Sequence, residues 1–138
     1  MKKLIALTLL LISVASCSLD DNDAVSYGYE ILPVESVDMP AEFTLGETYT
    51  ITVSYYRPST CHYFSEFYYV IDENQRTVAP ITVVYNDNNC QDLENTLVDS
   101  TFDFLVTSKN TYVFKYWQGE DEDGDDVYLT IEVPVVEN

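Results

Sequence analysis

Basic residues are scarce in this 138-residue chain: six lysines and arginines stand against 24 aspartates and glutamates, for a formal net charge of −18. So negative a surface repels phosphate backbones and anionic head groups, which argues against nucleic acid and leaves cations and basic partners. The same acidity also serves solubility alone, so it assigns no ligand by itself. There are only four glycines and five prolines, and no repeat or low-complexity stretch, so no long linker divides the chain. Its length suits one domain with a stable core and a short appendage. No apolar run is long enough to cross a bilayer as a helix, which takes about 20 residues. There is one histidine, His62, and no nucleophile-elbow motif. His62 and Cys61 are neighbours in a strand-like segment, where successive side chains point to opposite faces and cannot act as a nucleophile and base pair. The chain is therefore expected to be non-enzymatic. What it holds in quantity is aromatic: 12 Tyr and 6 Phe, within a hydrophobic content of 46%. That composition describes a folded domain with an acidic skin, not a disordered acidic chain.

The N-terminus reads as an address. Lys2 and Lys3 precede an apolar run over residues 4–14, interrupted only by Thr8 and Ser13. This is the pattern of a signal-peptide h-region and is excluded from the fold. The run closes on Val14-Ala15-Ser16-Cys17, which resembles the lipobox of bacterial lipoproteins: an aliphatic residue, two small residues and a cysteine. The resemblance covers residues 1–17 and implies cleavage before Cys17, with acyl chains on its thiol and new amino group. Several chains together give stable anchoring at about 0.8 kcal/mol per buried CH₂. A plain secretory signal with an unmodified cysteine is the alternative. The cluster that follows, Ser18-Leu19-Asp20-Asp21-Asn22-Asp23, is similar to the export signal of Bacteroidota-type lipoproteins, and equally fits a solvated spacer. The resemblance implies an outer-membrane lipoprotein, its only membrane contact the lipid, facing either the cell surface or the periplasm. The expected organisation is a signal peptide over 1–16, a lipidated cysteine and acidic tether over 17–26, and a folded domain over 27–138.

Three cysteines leave one over, and lipidation of Cys17 accounts for it. Cys61 and Cys90 then remain for a disulfide in an oxidising compartment. Strand register supports the pairing. A hairpin of segments 61–71 and 76–85, with Ile71 opposite Arg76, sets Cys61 opposite Asn86 and leaves Cys90 just past the open end.

Period-two alternation dominates the rest. Tyr49, Ile51, Val53 and Tyr55 share one face against Thr48, Thr50, Thr52 and Ser54. Similar alternation over 98–106, 112–117 and 127–133, with 27–34 and the hairpin above, predicts an all-β fold of seven strands. A single helical turn over 90–97 is the one departure. Seven short strands with turn signals between them resemble an immunoglobulin-like β-sandwich, with Tyr112 placed like a corner tyrosine. The chain lacks the core tryptophan between paired cysteines of true immunoglobulin domains, because Trp117 follows both Cys61 and Cys90.

Two candidate sites emerge. Residues 120–126 pack six carboxylates around Gly124, and Asp121, Asp123 and Asp125 are the right ligand type for calcium, the one cofactor suggested. EF-hand spacing fails, and a solvated hairpin tip with Gly124 at positive φ is the other reading. The second site is aromatic. If the third, sixth and seventh strands share a sheet, Phe64, Tyr68, Lys115, Trp117 and Tyr128 lie on its outer face, with Trp117 paired to Tyr128. Such a face suits a protein or a carbohydrate ligand, or serves only to stabilise the sheet. The functional expectation is a binding or adhesion-type module. A structural or accessory subunit of an outer-membrane assembly or uptake complex is the alternative.

Overall fold

The computed structural model describes residues 25–137. The signal segment, Cys17 and most of the acidic tether lie outside the described residues. Ten strands run in the order β1 (Tyr27–Ile31), β2 (Val34–Asp38), β3 (Phe43–Thr44), β4 (Thr48–Tyr56), β5 (His62–Asp72), β6 (Gln75–Tyr85), β7 (Leu97–Leu105), β8 (Tyr112–Glu120), β9 (Asp126–Val133) and β10 (Val135–Val136). There is no helix among the described residues, and in place of the turn expected over 90–97 residues 90–96 are irregular backbone, with Asn95 at φ 52, leading into β7 at Leu97. The fold is all-β, as the alternation predicts.

Two open sheets pack face to face. In the larger, β6 is central: β5 covers one edge along its whole length, while β8 and β1 divide the other. β8 pairs in parallel with the first half of β6, β1 antiparallel with the second, and β9 closes onto β8. The smaller sheet has the order β2-β4-β7. A short parallel pair, β10 with β3, closes one end.

The strand expected over 27–34 is two strands in different sheets. Pro33 has no N–H to continue a ladder, and Leu32, whose N–H donates to the Pro80 carbonyl at 3.0 Å, is the last residue held by the larger sheet. The chain then crosses to pair Val34 with Tyr55 of β4. That split and the β3–β10 pair are what separate the ten strands from the seven expected.

Inward residues of both sheets meet in one core containing Phe43, Ile51, Val53, Phe104, Tyr112, Phe114, Tyr116 and Val133. Several of its aromatic rings pack edge to face, Phe104 with Tyr112 at 4.9 Å and with Phe114 at 5.1 Å between centroids, an arrangement favoured by the ring quadrupoles. Two tyrosines carry a hydroxyl into this core. Tyr112 accepts the backbone N–H groups of Thr107 (3.1 Å) and Ser108 (2.9 Å), and so ties down the loop before β8 in the manner of a corner tyrosine. Burial pushes its pKa up, but those hydrogen bonds and the nearby Arg76 outweigh burial and bring it below the ordinary tyrosine value. Tyr116 donates to the Met39 sulfur at 3.4 Å, and burial holds its pKa well above that value.

Cys61 and Cys90 form the expected disulfide, with Cα atoms 5.4 Å apart. Ile71 pairs with Arg76 as the register requires, but a bulge between Phe64 and Glu66 advances β5 by one residue. The Cys61 carbonyl therefore accepts the Tyr85 N–H (3.1 Å) instead of lying opposite Asn86.

Candidate functional site: an aromatic groove on the outer sheet face

The outer face of the larger sheet is assembled by register. The β8–β9 hairpin sets Trp117 opposite Tyr128 and Lys115 opposite Thr130. The parallel β6–β8 ladder places Lys115 beside Thr77, and the β5–β6 ladder places Tyr68 beside Ala79. Side chains at these positions stand on one side of the pleat. Because β6 offers only Thr77 and Ala79 between the larger side chains, the face is hollowed there. The result is a shallow groove of about 280 Å³ whose floor is Thr77 and Ala79 and whose walls are Tyr68 on one side and Trp117 and Tyr128 on the other, with Ile31 at one end.

Asp126 fixes two of these rings. One carboxylate oxygen accepts the Trp117 indole N–H at 2.7 Å, and the other accepts the Tyr128 hydroxyl at 3.3 Å. Lys115 Nζ lies 4.3 Å from the centre of the Tyr128 ring, a cation–π contact that holds the ring from below. Partial burial first, then the Asp126 charge and hydrogen bond, raise the Tyr128 pKa, so its hydroxyl stays protonated as a donor. Flat apolar rings and hydrogen-bonding groups thus share one open depression. Comparison with protein-family models, characterised proteins and solved structures finds no match.

Of the five aromatic-face residues expected from sequence, Tyr68, Lys115, Trp117 and Tyr128 come together here. Phe64 does not. The bulge after it reverses the parity of β5, so Phe64 pairs with Thr82 and turns to the inner side, 4.9 Å from Phe67 between ring centres. The bulge lies in a segment aromatic on both faces, where alternation carries no sign of the slip. Asp126, Ile31 and the floor residues Thr77 and Ala79 are the groove residues that sequence reasoning missed. Asp126 is hidden in the acidic run, and Ile31 joins this face only because β1 pairs with β6. The same pairing brings Tyr27 and Tyr29 beside Tyr85 at the far end of the face, and the β5–β6 ladder adds Tyr63, with Tyr27 and Tyr63 each about 6 Å from Tyr85.

At the β8–β9 tip, Asp121 spends its carboxylate on the turn. Oδ1 accepts the N–H groups of Asp123 (2.9 Å) and Asp125 (3.0 Å), and Gly124 supplies φ 84. Among the described residues no three His, Cys, Asp or Glu side chains gather as a metal site. These bonds to Asp121 fit the solvated-tip reading of residues 120–126.

His62 has partners that sequence did not supply. Its Nδ1 lies 2.7 Å from Ser59 Oγ and its Nε2 2.8 Å from Glu30 Oε2. The three residue types are those of an acyl-transfer triad, but Ser59 is 8% exposed and its oxygen already accepts the Cys61 N–H at 3.2 Å. The array ties β1 to the start of β5 beside the disulfide. A Ser-x-x-His spacing was its only trace in the sequence.

Proposed function

We propose that the protein is an outer-membrane lipoprotein, held by acyl chains on Cys17, whose immunoglobulin-like sandwich is a non-enzymatic binding module for carbohydrate. The observation that carries this reading is the groove between Tyr68 and the Trp117–Tyr128 pair, with Asp126 holding both rings of that pair. Exposed flat rings match the apolar faces of sugar rings, and the Tyr128 hydroxyl, Asp126 carboxylate and Lys115 ammonium match their hydroxyls. The formal charge of −18 favours neutral over anionic glycans. The corner contacts of Tyr112 support the immunoglobulin-like assignment.

An array of neutral oligosaccharides probed with the purified protein tests the ligand class. Binding is expected to be lost in Trp117→Ala and weakened in Asp126→Ala. Binding that survives Trp117→Ala unchanged would refute the groove. Anchoring is tested separately by Cys17→Ala: the variant should leave the membrane fraction, and one that stays membrane-bound would refute lipidation. The second reading, an accessory subunit, is favoured by a different surface, the open side of the sandwich between β5 and β7.

A further inference from the structure

Along one side of the sandwich the smaller sheet is a strand short. β5 and β7 are the edge strands there, each paired on one side only. They touch through Phe102, whose ring lies 5.2 Å from Phe67 and 5.7 Å from Tyr69. Beyond that contact β5 overhangs. Its inward-pointing Phe64, Tyr69 and Ile71 remain 40%, 37% and 63% exposed, although the matching positions on β6 are buried. An inner face left open in this way lacks the strand that would cover it.

Two depressions run end to end along the seam. One, of about 180 Å³, lies between Phe64 and β7 residues Val98 to Ser100; the other, of about 480 Å³, lies between Phe67, Tyr69 and Ile71 and β7 residues Phe102 to Leu105. Each holds one of the chain's two arginines, Arg57 in the first and Arg76 in the second. Acids outnumber bases 24 to 6, yet among the described residues neither guanidinium has a carboxylate within 4.0 Å. Arg57 donates to the carbonyls of His62 (2.7 Å) and Thr60 (2.8 Å), and Arg76 to those of Glu73 (2.8 Å) and Gln75 (2.9 Å). Arg76 is 8% exposed, with its guanidinium over the rings of Phe104 and Tyr112. Asp99 and Asp103 of β7 line the same two depressions without pairing with either guanidinium. Asp99 and Asp103 accept the hydroxyls of Ser54 and Thr50, both at 2.6 Å, on the outer face of the smaller sheet.

We propose that this seam is the docking site for an extended segment of a partner protein, which adds to the free edge of β7 as a fourth strand of the smaller sheet. Addition at β7, unlike addition at β5, covers the open inner face of the larger sheet. The segment's alternate apolar side chains then meet Phe64, Tyr69 and Ile71, and carboxylates near its two ends meet Arg57 and Arg76. β7 has 9 residues, so the paired length is roughly 30 Å. A second copy of this chain is the poorer occupant, because two chains of charge −18 repel one another.

The test uses the purified full-length protein and a positional set of fluorescein-labelled, end-blocked decapeptides that alternate Val and Thr and carry Glu near both ends. A matched set carries Gln. Anisotropy is expected to show binding by Glu peptides and at least about tenfold weaker binding by Gln peptides, as follows from unpairing a partly desolvated charge. Hydrogen exchange should slow at β7 amides. Arg57→Gln and Arg76→Gln should each reduce the preference for Glu. Since Arg76→Gln also removes hairpin contacts, Arg57→Gln and the Gln peptides give the same readout in a protein with that hairpin intact. Equal binding of the two sets, absence of binding by all peptides at millimolar concentration, or protection confined to the outer face would overturn the proposal. Trp117→Ala separates this site from the glycan groove: it should leave peptide binding unchanged.

Discussion

Removing the Cys61–Cys90 bridge, by Cys61→Ala with Cys90→Ala, tests how far this domain relies on a covalent staple. The two cysteines are 29 residues apart, and closing a loop of that length costs the unfolded chain about 3.6 kcal/mol of entropy at 25 °C in the chain-entropy model. Native stabilities of about 5–15 kcal/mol make that a large share of the total. The loss should be close to the entropic figure, because Cys90 is exposed and its removal opens no core cavity, while Cys61 sits at the rim of the core. The Tyr85–Cys61 and Asn86–Ser26 backbone hydrogen bonds, at 3.1 and 2.8 Å, remain in the variant and should keep the end of β6 in register. Urea unfolding followed by tryptophan fluorescence measures the change, with the wild type titrated beside the variant at equal ionic strength. A loss of about 3–4 kcal/mol is expected, with folding retained at low temperature. A loss below about 1 kcal/mol would show that the loop is already constrained in the unfolded state and would refute the argument. A thiol titration of the denatured mature wild type should find no thiol from this pair; finding two would remove its premise.

Three further outcomes follow from the core and the acidic turn. Tyr112→Phe leaves two backbone N–H groups without their acceptor and should cost about 1–3 kcal/mol by urea titration; a change under about 0.5 kcal/mol would refute the corner role. Burial raises the Tyr116 pKa above the ordinary value of 10.0, so above pH 10 the unfolded state loses this proton first and stability falls as pH rises. The fall between pH 10 and 11 should be shallower in Tyr116→Phe, and an unchanged slope would assign the effect elsewhere. Millimolar calcium should leave the Tm of the wild type unchanged, because Asp121 is engaged with the backbone; a calcium-dependent rise that Asp121→Asn abolishes would restore the metal reading.

Sequence carried the groove where a tight turn fixes the strand register. Trp117 opposite Tyr128 was legible because the β8–β9 hairpin has a clear turn at Gly124 and alternation on both sides. Ile71 opposite Arg76 was legible from the turn over residues 72–75. The position of Phe64 was not, because β5 is aromatic on both faces and a one-residue slip leaves its pattern equally apolar. The division of the first strand was available in principle from Pro33, but a proline marks a break without saying which sheet receives the next strand. The parallel pairing of β6 with β8 joins residues with a whole strand of the other sheet between them, so local periodicity contains no trace of it. The tie between Ser59, His62 and Glu30 depends on a different long-range assembly, the pairing of β1 and β5 with opposite edges of β6.

The crossing at Leu32 and Pro33 also bears on how the domain carries load. β1 is exposed at all five positions and is held by its ladder to β6, whereas Val34, two residues beyond Leu32, is already in the core. Tension entering at residue 25 therefore loads the β1–β6 ladder first and reaches β2 only after that ladder has parted. The released stretch of about seven residues supplies roughly 24 Å of extra reach while the two facing sheets stay packed. A pull on the N-terminal side would thus reach the first strand, and its Glu30–His62 tie, before it reached the folded body.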